Sequence, residues 1–290
     1  EFAEVARAFN SMTERLAALD RMKRDFVTGV SHDLKTPLTS MQETISILLD
    51  EVPGPLTEKQ RTLLVLNQQS GERLSAMLAK LLNLSRLEGG LEPEMQVTDG
   101  AQLLRRAVAQ AASAAEEHAL HVDVIEPDHK VLVECDQDRI LQVLDNLLEN
   151  AIKFSPVGGS VRVEMQVLTE RPDEIPRGRW SAARSQRPDS SLMWITVTDT
   201  GPGVPDSEKE RIFERFYQTP SGRAVRHRGV GLGLTICREI VGAHAGVMWV
   251  ADNPAGSGTV FNVLLPGAFR ASPEATMPAS SSSSSPSVVS

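Results

Sequence analysis

The sequence is short of several things. Aromatic residues make up only 4% of it, with one Tyr and three Trp, which argues against an aromatic-rich β-sandwich. Two cysteines, Cys135 and Cys237, are too few for a disulfide scaffold and fit a reducing cytoplasm. No apolar run approaches the ~18 residues of a membrane span. There is no basic excess either: 30 Lys and Arg face 38 Asp and Glu, a net charge of -8. A nucleic-acid partner is therefore not expected. No signal peptide is visible, and the first residue is Glu rather than Met, so the sequence is expected to be part of a longer polypeptide.

What is present points to about two domains. The 290 residues are 41% hydrophobic, enough for real cores. At the start, Phe2, Val5, Phe9, Met12, Leu16 and Leu19 recur at alternating steps of three and four, a coiled-coil seam. Met22 comes three residues later and breaks the heptad phase, so the packing register changes near Asp20. Amphipathic helix then continues from Arg21 to Asp50 through Met22, Phe26, Val30, Leu34, Met41, Ile45 and Leu48. The run Pro53-Gly54-Pro55 stops it. Thr57 and Gln60 form a capping box for a second helix, whose apolar face includes Leu63, Leu74, Met77, Leu81 and Leu82. Gly89 and Gly90 end it. Neither helix can bury its face within one hairpin, whereas four helices can. A homodimeric four-helix bundle follows as the expectation.

After Gly90 the pattern becomes α+β. Asp99 caps a helix to about His118, and Asp136 to Lys153 reads as another, as does Gly231 to Ala243. Strands are expected at 120–125, 130–134, 161–168, 192–198, 247–251 and 259–265. The segment 169–191, with five Arg, three Pro and four Ser, reads as a loop insertion between strands. From Ala271 the Ser/Pro-rich tail is expected to be disordered.

Three places carry chemistry. His32 lies two residues from Val30 and Leu34, about 200° around the helix from each and off the apolar stripe. Asp33 can accept a proton from its imidazole and leave the other ring nitrogen as a nucleophile. Thr36 lies one turn on, on the same face, and Pro37 loosens that turn. An ordinary surface histidine on a charged helix has the same spacing. Asn146, Asn150 and Lys153 share a helix face; Asn150 can offer a carbonyl oxygen to Mg2+, and Lys153 can meet phosphate. A merely solvated polar face would look alike. Asp199, Gly201 and Gly203 follow an apolar strand, where the carboxylate can accept a purine amino group, although such a run is also ordinary turn chemistry.

Gly229, Gly231, Gly233 and Leu234 open a helix and suit phosphate binding at its N-terminus. They match neither a Walker A loop nor a dinucleotide fingerprint. Between the last two sites, Ile212 to Tyr217 followed by a polar, Arg-rich stretch reads as a lid with an apolar anchor. Gly256-Ser257-Gly258-Thr259 has the form of a hairpin turn.

In this order the motifs resemble the sensor histidine kinases of two-component systems, over roughly Glu1 to Pro266. The His32 segment is similar to the family's H box, 146–153 to its N box, 199–203 to its G1 box, 212–217 to its F box and 229–234 to its G2 box. The resemblance implies an α+β architecture in four parts. Residues 1–20 would end a HAMP signalling helix, and 21–90 would form a dimerisation and histidine-phosphotransfer hairpin. Residues 91–268 would form an α/β sandwich ATP-binding domain of the gyrase, chaperone and histidine-kinase type, with 269–290 as a tail.

By the same resemblance His32 is the phosphoacceptor, Asp33 its base and Thr36 a phosphatase-assisting hydroxyl. Asn150 holds Mg2+, with Asn146 and Lys153 near the phosphates of ATP. Asp199 binds adenine, and the three glycines shape the lid. The implied partner is the receiver domain of a response regulator, and any membrane anchor lies upstream. The rival is an ATP-hydrolysing conformational clamp of the same fold. Such relatives carry a water-activating Glu at the position of Asn146.

Overall fold

A computed structural model describes residues 33–88, 93–219 and 231–270, together with Met12 and Gly29. The heptad segment, the 271–290 tail, His32 and Gly229 lie outside the described residues.

A helical hairpin comes first. Helix α1 covers 33–49, and α2 runs over Glu58–Glu88. The capping box forms at the start of α2. The Thr57 N–H donates to Gln60 Oε1 at 2.9 Å, and the Gln60 N–H donates back to Thr57 Oγ1 at 3.3 Å. Leu38 and Ile45 are buried in the hairpin, but Met41, Ile47, Leu63, Leu66 and Leu74 remain exposed, Leu63 to 66%. One hairpin indeed leaves a broad apolar face uncovered.

The α/β part is built on one seven-stranded sheet. Its strands are β1 (Gln96–Asp99), β2 (His121–Ile125), β3 (Val131–Cys135), β4 (Ser160–Leu168), β5 (Ser191–Thr198), β6 (Val247–Asp252) and β7 (Thr259–Arg270). The order is β1-β3-β7-β5-β4-β2, with β6 also on β7. All pairings are antiparallel except β2 with β4. β7 is long enough to share one edge between two partners: 259–264 pair with β6 and 268–270 with β3.

Helices α3 (Gly100–Glu117), α4 (Gln137–Phe154) and α6 (Gly233–Ala243) contribute to the core on one face of this sheet. Asp99 and Asp136 cap α3 and α4 as the sequence indicates, each accepting N–H bonds from the first turn. Side-chain alternation along the strands then divides the apolar residues between two cores. Met193, Ile195 and Val197 of β5, Met248 and Val250 of β6, and Phe261, Val263 and Leu265 of β7 face the main core.

Leu192, Trp249 and Leu264 face the other way. There the insertion departs from the sequence expectation of a loop. Residues Arg177–Ala183 form a short helix, α5, and Ile175 and Ala183 are fully buried against Leu192, Trp249 and Leu264, with Trp180 and Trp194 packed alongside. Ion pairs from Arg179 to Glu210 and from Arg187 to Glu134 fasten the insertion at two further points. Its apolar residues have a sheet face to cover, which a loop in solvent would not.

Candidate functional site

The cleft lies where α4, the loop after β5, the start of α6 and the turn before β7 converge. It contains about 1120 Å3 of empty space, open mouth included. Asn146, Asn150 and Lys153 line it from α4, as do Asp199 and Gly203 from the β5 loop and Gly231, Gly233 and Leu234 from the start of α6. Residues from three motifs spread over more than 80 positions thus line one cleft.

Asp199 lines the cleft and is only 3% exposed. Its Oδ1 accepts the N–H of Gly201 at 2.8 Å and that of Thr259 at 3.1 Å, and its Oδ2 accepts the Thr259 hydroxyl. These three donors compensate the burial of a carboxylate. They also fix its plane, with one lone pair of Oδ2 remaining for a ligand donor. Gly258, at φ +125°, has room only for hydrogen: a Cβ there would stand 2.0 Å from the Asp199 carbonyl oxygen. Sequence reading took the Gly256–Thr259 run as a hairpin turn and missed Thr259 as a partner of Asp199. The signal was a Gly-x-Gly-Thr run entering a strand, but its target is 60 residues away.

The polar residues of α4 line the same cleft. Asn146 is buried, and its Nδ2 donates to the Gln142 carbonyl at 2.8 Å. Its Oδ1 would lie 3.0 Å from any Cβ at position 233, so Gly233 allows α6 to approach. Asn150 and Lys153 are half-buried. Burial lowers the Lys153 pKa, Glu149 opposes that shift and Lys80 adds to it. An ammonium group so placed gains from an anion. The start of α6 carries no side-chain cap, which leaves first-turn amides for negative charge.

The lid anchor is well packed. Ile212 and Phe213 are buried, and the Phe213 carbonyl accepts from Thr235 Oγ1 at 2.9 Å and Arg238 Nη2 at 3.2 Å. The Phe216 N–H donates to the Gly231 carbonyl at 2.9 Å, so the two flanks of 220–230 meet. Gly231, at φ +74°, would put a Cβ 2.7 Å from the Tyr217 carbonyl oxygen.

Asp33 and Thr36 are exposed on α1, away from the cleft lining. Gly201 does not line the cleft; it packs beneath it, against the Phe154 carbonyl. Among the described residues no cluster of His, Cys, Asp and Glu could hold a metal, and no helix is long and apolar enough to cross a membrane.

Comparison with known proteins follows the same division. The family model described as histidine kinase-, DNA gyrase B- and HSP90-like ATPase matches residues 135–268. The His Kinase A (phospho-acceptor) domain matches 22–90. The sensor histidine kinase WalK of Bacillus subtilis (strain 168) is 32% identical over 249 residues, 86% of this chain and 37% of that protein. The chain therefore spans well under half of that relative. Full-length ShkA in complex with AMPPNP is similar in structure, with a TM-score of 0.64 and 25% identity over 85% of this chain and 47% of that one. The Acinetobacter baumannii histidine kinase AdeS shares the fold, with a TM-score of 0.54 and 23% identity over 81% and 98% of the two chains. With both domains matched in order and such relatives on either side, the chain belongs to the sensor histidine kinases of two-component systems.

Proposed function

We propose that this chain binds ATP in the cleft, transfers the γ-phosphoryl group to His32, and passes it to an Asp on the receiver domain of a response regulator. The observation that carries the reading is the gathering of these groups in one cleft. A buried, pre-oriented carboxylate at Asp199 suits a purine amino group. The same cleft offers Asn150, Lys153 and uncapped amides of α6 to the phosphates. Gly231 lines it too, and the role proposed for Gly229 and Gly231, by resemblance, is to shape the lid.

Each residue then has a task. Asp199, with Gly201 and Gly203 beside it, accepts from adenine. Lys153 and the amides at Gly233 and Leu234 offset phosphate charge. The donor chemistry at Asn150 fits Mg2+ carried by the nucleotide, since an amide oxygen is a hard ligand and phosphates and water supply the rest. Held there, Mg2+ would supply positive charge against the phosphate charge that develops during transfer. Asn146 is an amide in the place where ATP-hydrolysing relatives of this fold carry Glu, so no base there activates water. The neutral His32 nitrogen forms the new N–P bond as the bond from phosphorus to the bridging oxygen breaks. That oxygen leaves with the electron pair on ADP, and Asp33 takes the imidazole proton.

The domain limits proposed are those read from the sequence: 1–20, 21–90, 91–268 and 269–290. The exposed face of the hairpin supports dimerisation into a four-helix bundle. The chain is read as the cytoplasmic part of an inner-membrane sensor, anchored through a segment upstream. Thr36 orients a hydrolytic water when the phosphorylated regulator docks, so Thr36→Ala should reduce phosphatase activity and spare autophosphorylation.

Asn150→Ala tests the site. It should abolish Mg2+-dependent ATP binding and autophosphorylation together while the fold survives, because the side chain fills no core space. Unchanged ATP affinity in Mg2+ contradicts the role.

A further inference from the structure

The charges along the cleft are not all supplied by the ATP-binding domain. Lys80 belongs to α2, yet its side chain lines the cleft next to Glu149 and Lys153. Packing delivers it there. Leu84, one turn further along α2, is 3% exposed and sits within the main core, and Leu81 packs against the same cluster. Residues one turn apart share a helix face, so burying Leu84 carries Lys80 to the wall of the cleft.

Lys80 Nζ stands 3.6 Å from Glu149 Oε2, with side chains 38% and 67% exposed. An ion pair this exposed contributes little. The buried leucines hold α2 in place, and Glu149 can release Lys80 at small cost. Lys153 also senses Lys80: burial is the main cause of the lowered Lys153 pKa, and Lys80 pushes it further down against the opposing pull of Glu149. Two ammonium groups lining one cleft, with one exposed carboxylate beside them, suit a polyanion better than a single carboxylate.

We propose that Lys80 is a phosphate-binding residue of the nucleotide cleft, supplied by the phosphotransfer hairpin. Triphosphate binding and the packing of α2 on the ATP-binding domain then reinforce each other, because coupling between two equilibria is reciprocal. The inference rests on the reading of the cleft as an ATP site. It separates two parts of the ligand: adenosine engages Asp199 and lacks the phosphates, whereas ATP also engages Lys80.

The test is titration of the full chain with ATP in Mg2+ and, separately, with adenosine. Lys80→Gln should weaken ATP about three- to tenfold, the scale of one partly screened charge interaction, and leave adenosine unchanged. Lys80→Arg should restore most of the loss, and high salt should narrow the gap between wild type and Lys80→Gln. Leu84→Ala, which loosens the packing that delivers the lysine, should weaken ATP more in the Lys80 protein than in Lys80→Gln. Equal ATP affinity in wild type and Lys80→Gln, or an equal loss for ATP and adenosine, overturns the proposal while leaving the cleft reading intact. A wild-type chain that binds neither ligand overturns both.

Discussion

His244 shows what a single side chain does in this molecule. It is 4% exposed at the C-terminal end of α6. Its Nε2 accepts the Asp136 N–H at 3.0 Å, and its Nδ1 lies 2.8 Å from the Ile240 carbonyl. Only the neutral ring with its proton on Nδ1 satisfies both partners. The bond joins the end of α6 to the residue that caps α4, so it links the two helices that wall the cleft. Burial lowers the His244 pKa, and Arg139 adds to that effect against the opposing influence of Ile240 and Asp136. Below the unfolded value of about 6.5 the unfolded chain takes up a proton that the folded chain resists. The stability tied to neutral His244 is therefore complete above about pH 6.5 and is lost as pH falls toward the lowered folded value. Replacing His244 by Asn should cost about 1 kcal/mol at pH 7.5. The difference from wild type in urea midpoints should shrink by pH 5; a constant difference would contradict this assignment.

Residues of this kind divide what the sequence could reveal from what it could not. Asn146, Asn150 and Lys153 could be placed together because helix periodicity is local. That Asp199 finds Thr259, or that Lys80 reaches Glu149, depends on contacts 60 and 69 residues apart in the chain, and no local spacing encodes them.

At the scale of elements, legibility followed length and end signals. Helices α3 and α4 were readable because Asp99 and Asp136 stand at their starts and the apolar positions repeat over 18 residues. Strand β1 was missed: it has four residues and one buried side chain, too few for an alternation to show. Helix α5 was missed for a related reason. It has seven residues, no side-chain cap and Pro176 before it, so its helicity comes from packing on Leu192, Trp249 and Leu264. Removing that packing should act on stability alone, because the cleft is lined from the main-core side. Ile175→Ala should destabilise the chain by about 2–5 kcal/mol and leave the ATP dissociation constant unchanged under folded conditions. Calorimetric melting beside ATP titration checks both. Weakened ATP binding in the folded variant would mean that the insertion acts on the site, with its Arg179–Glu210 ion pair as the available route to the lid anchor.

At the scale of the whole molecule, the phosphoacceptor motif and the nucleotide cleft are on different units. The hairpin presents Asp33 and Thr36 to solvent, while the cleft is closed by α4, α6 and the lid anchor. The proposed transfer therefore needs the cleft and the His32 motif to meet, and Leu81 and Leu84 already join the two units. The order of motifs made this division readable in the sequence before any coordinates, whereas the packing of α2 on the sheet domain was not readable, because Leu84 looks like any other apolar position of its helix. The most direct test of the account is incubation of the full chain with γ-labelled ATP and Mg2+, comparing wild type with His32→Gln. Wild type should take up label that is labile in acid and stable in base, as a phosphoramidate is, and His32→Gln should bind ATP as tightly yet take up none. Label retained on the His32→Gln chain, or acid-stable label on wild type, would contradict the account.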